Sequence, residues 1–538
     1  MYDLIIKYGT IIDGTGNPRY ASDIAIRGEE IAKIQEHLTV PPGVPVIDAS
    51  GLIVSPGFID MHDHSDYSLL VDRDAPSAQH QGVTTVVFGN CGLSCYPVVA
   101  EYRELLESYL VGLGYNHSHS LDWEDLDGYA RELEKDGIGV NVVPLVGHGS
   151  IRIAVMGFDA RQPTKEEQGE MRRLLMDALK QGAFGMSSGL VYPPGINSTT
   201  QELQDLCAIV AKKGGIYSSH LRGDTLRAGP TLVESLQEAL DVARATGVDL
   251  QVSHIAPKFP NTGVSQRVID MMQKARDEGS NVACDVHPYM AAMTFLASLL
   301  PPWVFEGGTK ETTRRLTDKS ERARILKDMR FQFSHLDWDE FWFRNEPVPT
   351  DPNSKFKGKR LSEIGKMMGN DPAEAFLNVL ADEGEDLFKV VVLEWIYSED
   401  DTLATFLWPY TMIGADGVNS SKESRIESIS LHPRSWGTFP KVIGKYHKEG
   451  RQIKLESVIN KMTGLASTTL GLADRGFIKE GMKADVVVFD LDRFTDKATY
   501  TEPRQYAEGV EYLLVNGGLA IERGRSTGNR SAKVLRRR

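Results

Sequence analysis

From residue 84 to residue 286 the chain repeats one two-part pattern, and that repeat restricts its fold more than any other feature. A short apolar run is followed by a longer stretch with helical spacing of its apolar residues. Thr84–Phe88 precedes a helix near 100–111, and Val140–Val146 precedes one around 164–181. Gly185–Ser188 leads to 200–213, Gly215–His220 to 229–245 and Asp249–His254 to 264–278, with Asn281–Val286 next. Repeated strand–helix units call for parallel strands joined by crossover helices, and the expected closed form is a (β/α)8 TIM-like barrel, an α/β fold.

The two ends have another texture. Residues 1–55 hold short strands such as Leu4–Ile6 and Asp23–Ile26 between Gly and Pro turns. Residues 475–538 repeat it in Ala484–Asp490 and Val510–Gly517. Both ends are expected to pair into one small β-sandwich domain. The barrel then takes 56–474, interrupted at about 295–390 by an inserted helical segment containing Trp303, Trp338 and Trp342. The tryptophans read as that segment's own core, with a roof over a pocket as the other possibility. The segment itself either caps the barrel mouth or offers a surface for a homo-oligomer. The barrel is expected to resume at Lys389–Val392 and at Thr411–Gly417, and Thr527–Arg538 reads as a solvated tail.

Bulk numbers exclude several classes. A chain of 538 residues is too long for one ordinary core. Its formal charge of −14 argues against nucleic acid, which needs basic surface. No apolar run approaches the roughly 20 residues of a membrane span. Four cysteines, Cys91, Cys95, Cys207 and Cys284, make no disulfide framework, and the address expected is cytoplasmic.

In such a barrel, chemistry gathers where strands end. Pro56-Gly57-Phe58-Ile59-Asp60-Met61-His62-Asp63-His64 sets two imidazoles two residues apart, on one face of a strand. Neutral imidazoles suit a borderline metal such as zinc, although H-x-H alone reads equally as two surface histidines. The following ends carry Cys91, His148, His220, His254 and Asp416. Six of these seven residues are His or Cys, in a chain of only 13 histidines. Any one of them alone reads as a core residue; the series points to a metal centre.

The arrangement resembles the amidohydrolase superfamily, and within it the N-acyl-D-amino acid deacylases, or D-aminoacylases. Besides the H-x-H stretch, the likeness rests on Gly89-Asn90-Cys91-Gly92, Gly147-His148-Gly149-Ser150-Ile151-Arg152, Gly189-Leu190-Val191-Tyr192-Pro193-Pro194-Gly195, Ser219-His220-Leu221-Arg222, Gly414-Ala415-Asp416-Gly417 and His432-Pro433-Arg434-Ser435-Trp436-Gly437. It spans the chain outside the insertion. Most of the superfamily bridges its metals with a carboxylated lysine, whereas this family uses a cysteine, and Cys91 stands at that place.

The resemblance implies zinc-dependent hydrolysis of a small N-acyl-D-amino acid. Cys91, His220 and His254 would hold a tight Zn2+, and His62 and His64 a second, weaker one sharing Cys91. Asp416 would act as general base and then acid. Arg222, Arg434 and Tyr192 would bind substrate, and His148 would orient a ligand or line the pocket. The family usually has a lysine two residues after the ligand matching His254; here that residue is Ala256, and Lys258 is the nearest lysine. These cations leave acidic side chains among the substrates. A cyclic-amide hydrolase of the hydantoinase or dihydropyrimidinase kind is the other enzyme reading, opposed by the absence of a bridging lysine candidate in Gly185–Gly189. A non-catalytic barrel is the third.

Overall fold

The computed structural model describes residues 2–116, 118–348, 351–424, 426 and 432–537, without the side chains of 338, 343, 348, 351 and 352. The chain opens with β1 (Leu4–Ile11), β2 (Tyr20–Arg27), β3 (Glu30–Gln35), β4 (Val46–Asp48) and β5 (Ile53–Pro56). Eight further segments follow: β6 (Phe58–Asp60), β7 (Val83–Phe88), β8 (Asn141–Pro144), β9 (Val146–Gly147), β10 (Gly185–Gly189), β11 (Ile216–His220), β12 (Asp249–Val252) and β13 (Val282–Val286). They pair in parallel as β6–β7–β8 and β9–β10–β11–β12–β13. Only Leu145 separates β8 from β9, and its N–H donates to Phe88 O at 2.9 Å, so the two act as one strand.

After β13 the chain leaves the ring. It forms a small antiparallel sheet from β14 (Ala292–Phe295), β15 (Asn345–Val348) and β16 (Val391–Glu394), with helices between them. It returns as β17 (Thr411–Ile413), parallel to β13. Met61 N donates to Ile413 O at 3.0 Å, and Asp416 N to His62 O at 2.7 Å. These bonds join the last strand to the first and close the ring. Ile59, Met61, Val87, Val143, Leu145, Ile216, Ala283 and Met412 fill its interior.

The expectation that the barrel resumes at Lys389–Val392 is corrected. Val391 and Val392 open β16, the middle strand of the small sheet, with β14 and β15 on either side, and Lys389 ends the 3-10 helix before it. All four residues of β16 are buried. A short apolar run looks the same in a central antiparallel strand as in a barrel strand, because both bury two faces. The insertion's aromatics form its own core: Trp342 is fully buried and packs on Phe341 and Phe376 at 4.6 and 5.8 Å between ring centroids. Trp303 carries the Arg324 guanidinium at 3.7 Å. The side chain of Trp338 lies outside the described residues.

The closing strands β18 (Val486–Phe489), β19 (Val510–Val515), β20 (Gly518–Glu522) and β21 (Arg525–Ser526) extend the first sheet. β18 pairs with β5, giving one nine-stranded sheet. Ile31 N donates to Met482 O at 2.8 Å, and Leu4, Ile6, Ile24 and Ile26 share one core with Val486, Val488 and Leu514 from the other end of the chain. Alternation along β18 serves two cores. Val486 and Val488 face the sheet's own interior, and Val487 and Phe489 face the barrel. The solvated-tail expectation is also corrected: Val534 bridges Val142, Leu535 N donates to Val142 O at 2.8 Å, and Arg537 N donates to Gly182 O at 2.9 Å. Ala532 and Val534 are buried on either side of exposed Lys533, a strand-like alternation that three terminal arginines obscure in the sequence.

Candidate metal centre and active site

Each candidate side chain leaves a strand end at the same mouth of the ring. Asp60 at the end of β6 accepts from His62 N at 3.1 Å and Ala415 N at 2.8 Å, which ties the first strand end to the last. After β7 the chain turns through Gly89, where a Cβ would stand 2.1 Å from Leu145 O. Three residues here hold left-handed backbone without being glycine: Cys91 (φ 52°), His254 (φ 33°) and Asp416 (φ 52°). Such conformations cost about 1–3 kcal/mol each and persist where the surroundings fix them, so these side chains are aimed in advance.

Cys91 Sγ is the meeting point. It lies 3.2 Å from His62 Nε2, 3.5 Å from His220 Nδ1 and 3.5 Å from His254 Nε2. His62, His64 and Cys91 form one donor triad, and Cys91, His220 and His254 a second, each with all donor atoms within 4.8 Å of one another. Tetrahedral zinc with Zn–S of about 2.3 Å and Zn–N of about 2.0 Å sets sulfur and nitrogen roughly 3.5 Å apart, so the second triad fits that ion. Burial pushes the Cys91 thiol up, but the imidazoles of His62, His220 and His254 outweigh it and hold its pKa well below the ordinary value. A thiolate is the form that ligates.

Asp416 Oδ1 stands 3.1 Å from His64 Nε2 and 3.6 Å from His62 Nε2. Its other oxygen lies 2.8 Å from Arg434 Nη1. Burial raises its pKa; Arg434, then the contact from His64, outweigh burial and keep the carboxylate well below its usual range.

Two carboxylates that sequence reasoning missed hold the imidazoles. Asp224 Oδ2 is 3.3 Å from His254 Nδ1 and 3.6 Å from His220 Nε2, at ion-pair distance rather than in aligned hydrogen bonds. Its Oδ1 is 2.7 Å from Lys258 Nζ. Asp285, the acid next to the end of β13, lies 3.4 Å from His62 Nδ1 and accepts from His254 N at 2.8 Å. An acid closing the apolar strand Val282–Val286 was the available signal.

Beside the triads opens a cavity whose wall includes His64, Cys91, His220, His254 and Asp416. Lys258, Tyr192 and Arg434 are in its wall, together with Glu394 and Tyr397. Lys258 reaches it despite standing two residues later than the usual lysine. The Tyr192 hydroxyl pairs with Thr294 Oγ1 at 3.0 Å. Arg222 is not brought there. Its guanidinium bonds Glu238 at 3.0 Å and the carbonyls of Ile196 and Ser198 at 2.9 and 3.1 Å, which corrects the expectation of a substrate contact. His148 neither lines the cavity nor meets a ligand: its Nε2 pairs with Glu202 at 2.7 Å, and Arg152 holds the same carboxylate.

The sequence matches the model of the Amidohydrolase family over residues 45–321 and 418–520. It is 33% identical to an N-acyl-D-glutamate deacylase of Alcaligenes xylosoxydans xylosoxydans, over 99% of this chain and 96% of that one. It is 32% identical to a D-aminoacylase of the same organism, over 100% and 98%. The crystal structure of N-acyl-D-glutamate deacylase from Bordetella bronchiseptica, complexed with zinc and a phosphonate mimic of the tetrahedral intermediate, superposes with a TM-score of 0.82 at 31% identity, covering 99% of both chains. The chain belongs to the amidohydrolase family, and within it to the N-acyl-D-amino acid deacylases, or D-aminoacylases.

Proposed function

We propose that this protein hydrolyses N-acyl-D-amino acids, adding water across the amide to release a carboxylate and a free D-amino acid. Cys91, His220 and His254 hold a tight zinc ion, and His62 and His64 form a weaker site that shares Cys91. The observation that carries this reading is one cysteine sulfur shared by two donor triads, with the Asp416 carboxylate 3.1 Å from His64 at the cavity wall. Bound zinc supplies Lewis acidity to a carbonyl and makes water more acidic. The remaining work falls to the chain. Asp416 takes a proton from the attacking water and delivers it to the amide nitrogen as the C–N bond breaks. Arg434 fixes the other oxygen of Asp416. Its Nε, without a partner among the described residues, and Lys258 offer positive charge to the substrate's α-carboxylate. Tyr192 adds a phenolic hydrogen bond.

Preference for the D enantiomer rests on the family. The test is hydrolysis of paired N-acetyl-D- and N-acetyl-L-amino acids by zinc-loaded protein. We expect turnover of D substrates only; turnover of L substrates or of cyclic amides alone would reject the reading.

Asp224 is a positioning residue. Carboxylates that hold ligand imidazoles typically contribute about 10–100-fold to metal affinity. Asp224→Asn is therefore expected to weaken zinc binding by about that factor, read by competition with a chromophoric chelator. An unchanged affinity would remove it from this role.

Residues 1–55 with 475–538 form one domain in this reading and 56–474 the hydrolase barrel, with 295–390 inserted. No described helix is long and apolar enough to cross a membrane. Four buried free cysteines favour the cytoplasm.

A further inference from the structure

We propose that Glu394 makes this protein selective for N-acyl-D-amino acids whose side chain ends in a cation, of the D-lysine and D-arginine kind. The selection runs against the acidic side chain for which its N-acyl-D-glutamate deacylase relative is named. The proposal rests on the deacylase reading above.

Glu394 is the last residue of β16, and its side chain forms part of the cavity wall while only 7% exposed. Among the described residues its carboxylate has no hydrogen bond or ion pair; Lys258, Asp224 and Arg227 act on it only through their charge. A carboxylate buried to that degree is costly unless something pairs with it.

None of the neighbouring cations contacts Glu394 directly. Lys258 is paired with Asp224 at 2.7 Å and Arg434 with Asp416 at 2.8 Å. Arg227 gives its two terminal nitrogens to Val191 O and Leu300 O at 3.1 and 2.8 Å. Lys258 and Arg434 each touch another carboxylate, whereas Glu394 is in direct contact with no cation among the described residues, and Arg227 acts on it only through its charge. Burial pushes the Glu394 pKa up to about 7 against the pull of Lys258, with Asp224 adding to the rise and Arg227 opposing it. The α-carboxylate is common to every substrate of this class. A second carboxylate on the side chain would face Glu394; an ammonium or guanidinium would complete it. Leu113, Met293, Phe295 and Leu299 supply an apolar wall along which a methylene stem can lie.

The test compares kcat/KM of the zinc-loaded protein for the N-acetyl derivatives of D-lysine, D-arginine, D-norleucine and D-glutamate. We expect the basic substrates to exceed norleucine by about tenfold or more, and norleucine to exceed glutamate, because an unpaired buried charge discriminates strongly. In Glu394→Gln the lysine-to-norleucine ratio should fall by about tenfold, with zinc content and melting temperature reporting that the variant is folded. Glutamate or norleucine as best wild-type substrate overturns the proposal, and so does an unmoved ratio in the variant. A preference that follows a cation placed on the acyl group, read by N-glycyl- against N-acetyl-D-leucine, overturns the assignment to the side chain. Turnover of neutral D substrates without charge preference rejects this inference alone. No turnover of any D substrate rejects the deacylase reading and this inference with it.

Discussion

Asp416→Asn protein is expected to keep its zinc and to lose about a thousandfold in kcat on its best D substrate. The substitution preserves shape and removes proton-accepting capacity. General acid–base groups contribute roughly 10²–10⁴-fold, and here one carboxylate carries both the uptake and the delivery of the proton. The tight donor set does not include Asp416, so zinc content should persist. Arg434, whose Nη1 lies 2.8 Å from Asp416 Oδ2, loses its charged partner and becomes freer to hold the α-carboxylate, so KM should stay level or fall. A raised KM with an intact kcat would place Asp416 in binding rather than proton transfer and would sink the mechanism. Elemental analysis of the same sample separates loss of metal from loss of chemistry.

Cys91→Ala should empty both donor triads together. No other side chain belongs to the two sets, and each depends on its sulfur. What remains is two pairs of imidazoles, His62 with His64 and His220 with His254, each one donor short of the three protein ligands that a catalytic zinc site keeps. We expect bound zinc to fall below about a tenth of an equivalent, since removing a thiolate takes away the softest and only anionic ligand. Hydrolysis should drop to background with it. Retention of a full equivalent of zinc with normal turnover would show that Cys91 is only a small buried residue.

The barrel was legible because the alternation of strand and helix persists from 84 to 286, and the rule for strand ends then gathers His62, His64, Cys91, His220, His254 and Asp416 at one mouth. The supporting acids were not, because Asp224 lies in a turn and Asp285 ends a strand, and acids are ordinary at both places. Glu394 was hidden by the reading of its strand as part of the ring. Arg222 misled for a related reason: two residues past His220 the chain is a loop, where spacing does not set side-chain direction, and Glu238 with two carbonyls captures the guanidinium. Lys258 shows the opposite case, a shifted residue that a flexible four-carbon stem still delivers to the cavity.

The pairing of β18 with β5 has a bearing on biosynthesis. While the chain emerges from the ribosome, β5 must wait for a partner that is made only after the entire barrel and its insertion, and Val142 waits longer still for Val534. The nascent protein therefore carries an open, apolar strand edge through most of its translation, a condition that invites association between unfinished chains. Slow translation at low temperature and chaperones that shield early strands should raise the yield of soluble protein. A circular permutation that joins the two ends and opens the chain in an exposed barrel loop would let the nine-stranded sheet form as one continuous stretch of synthesis.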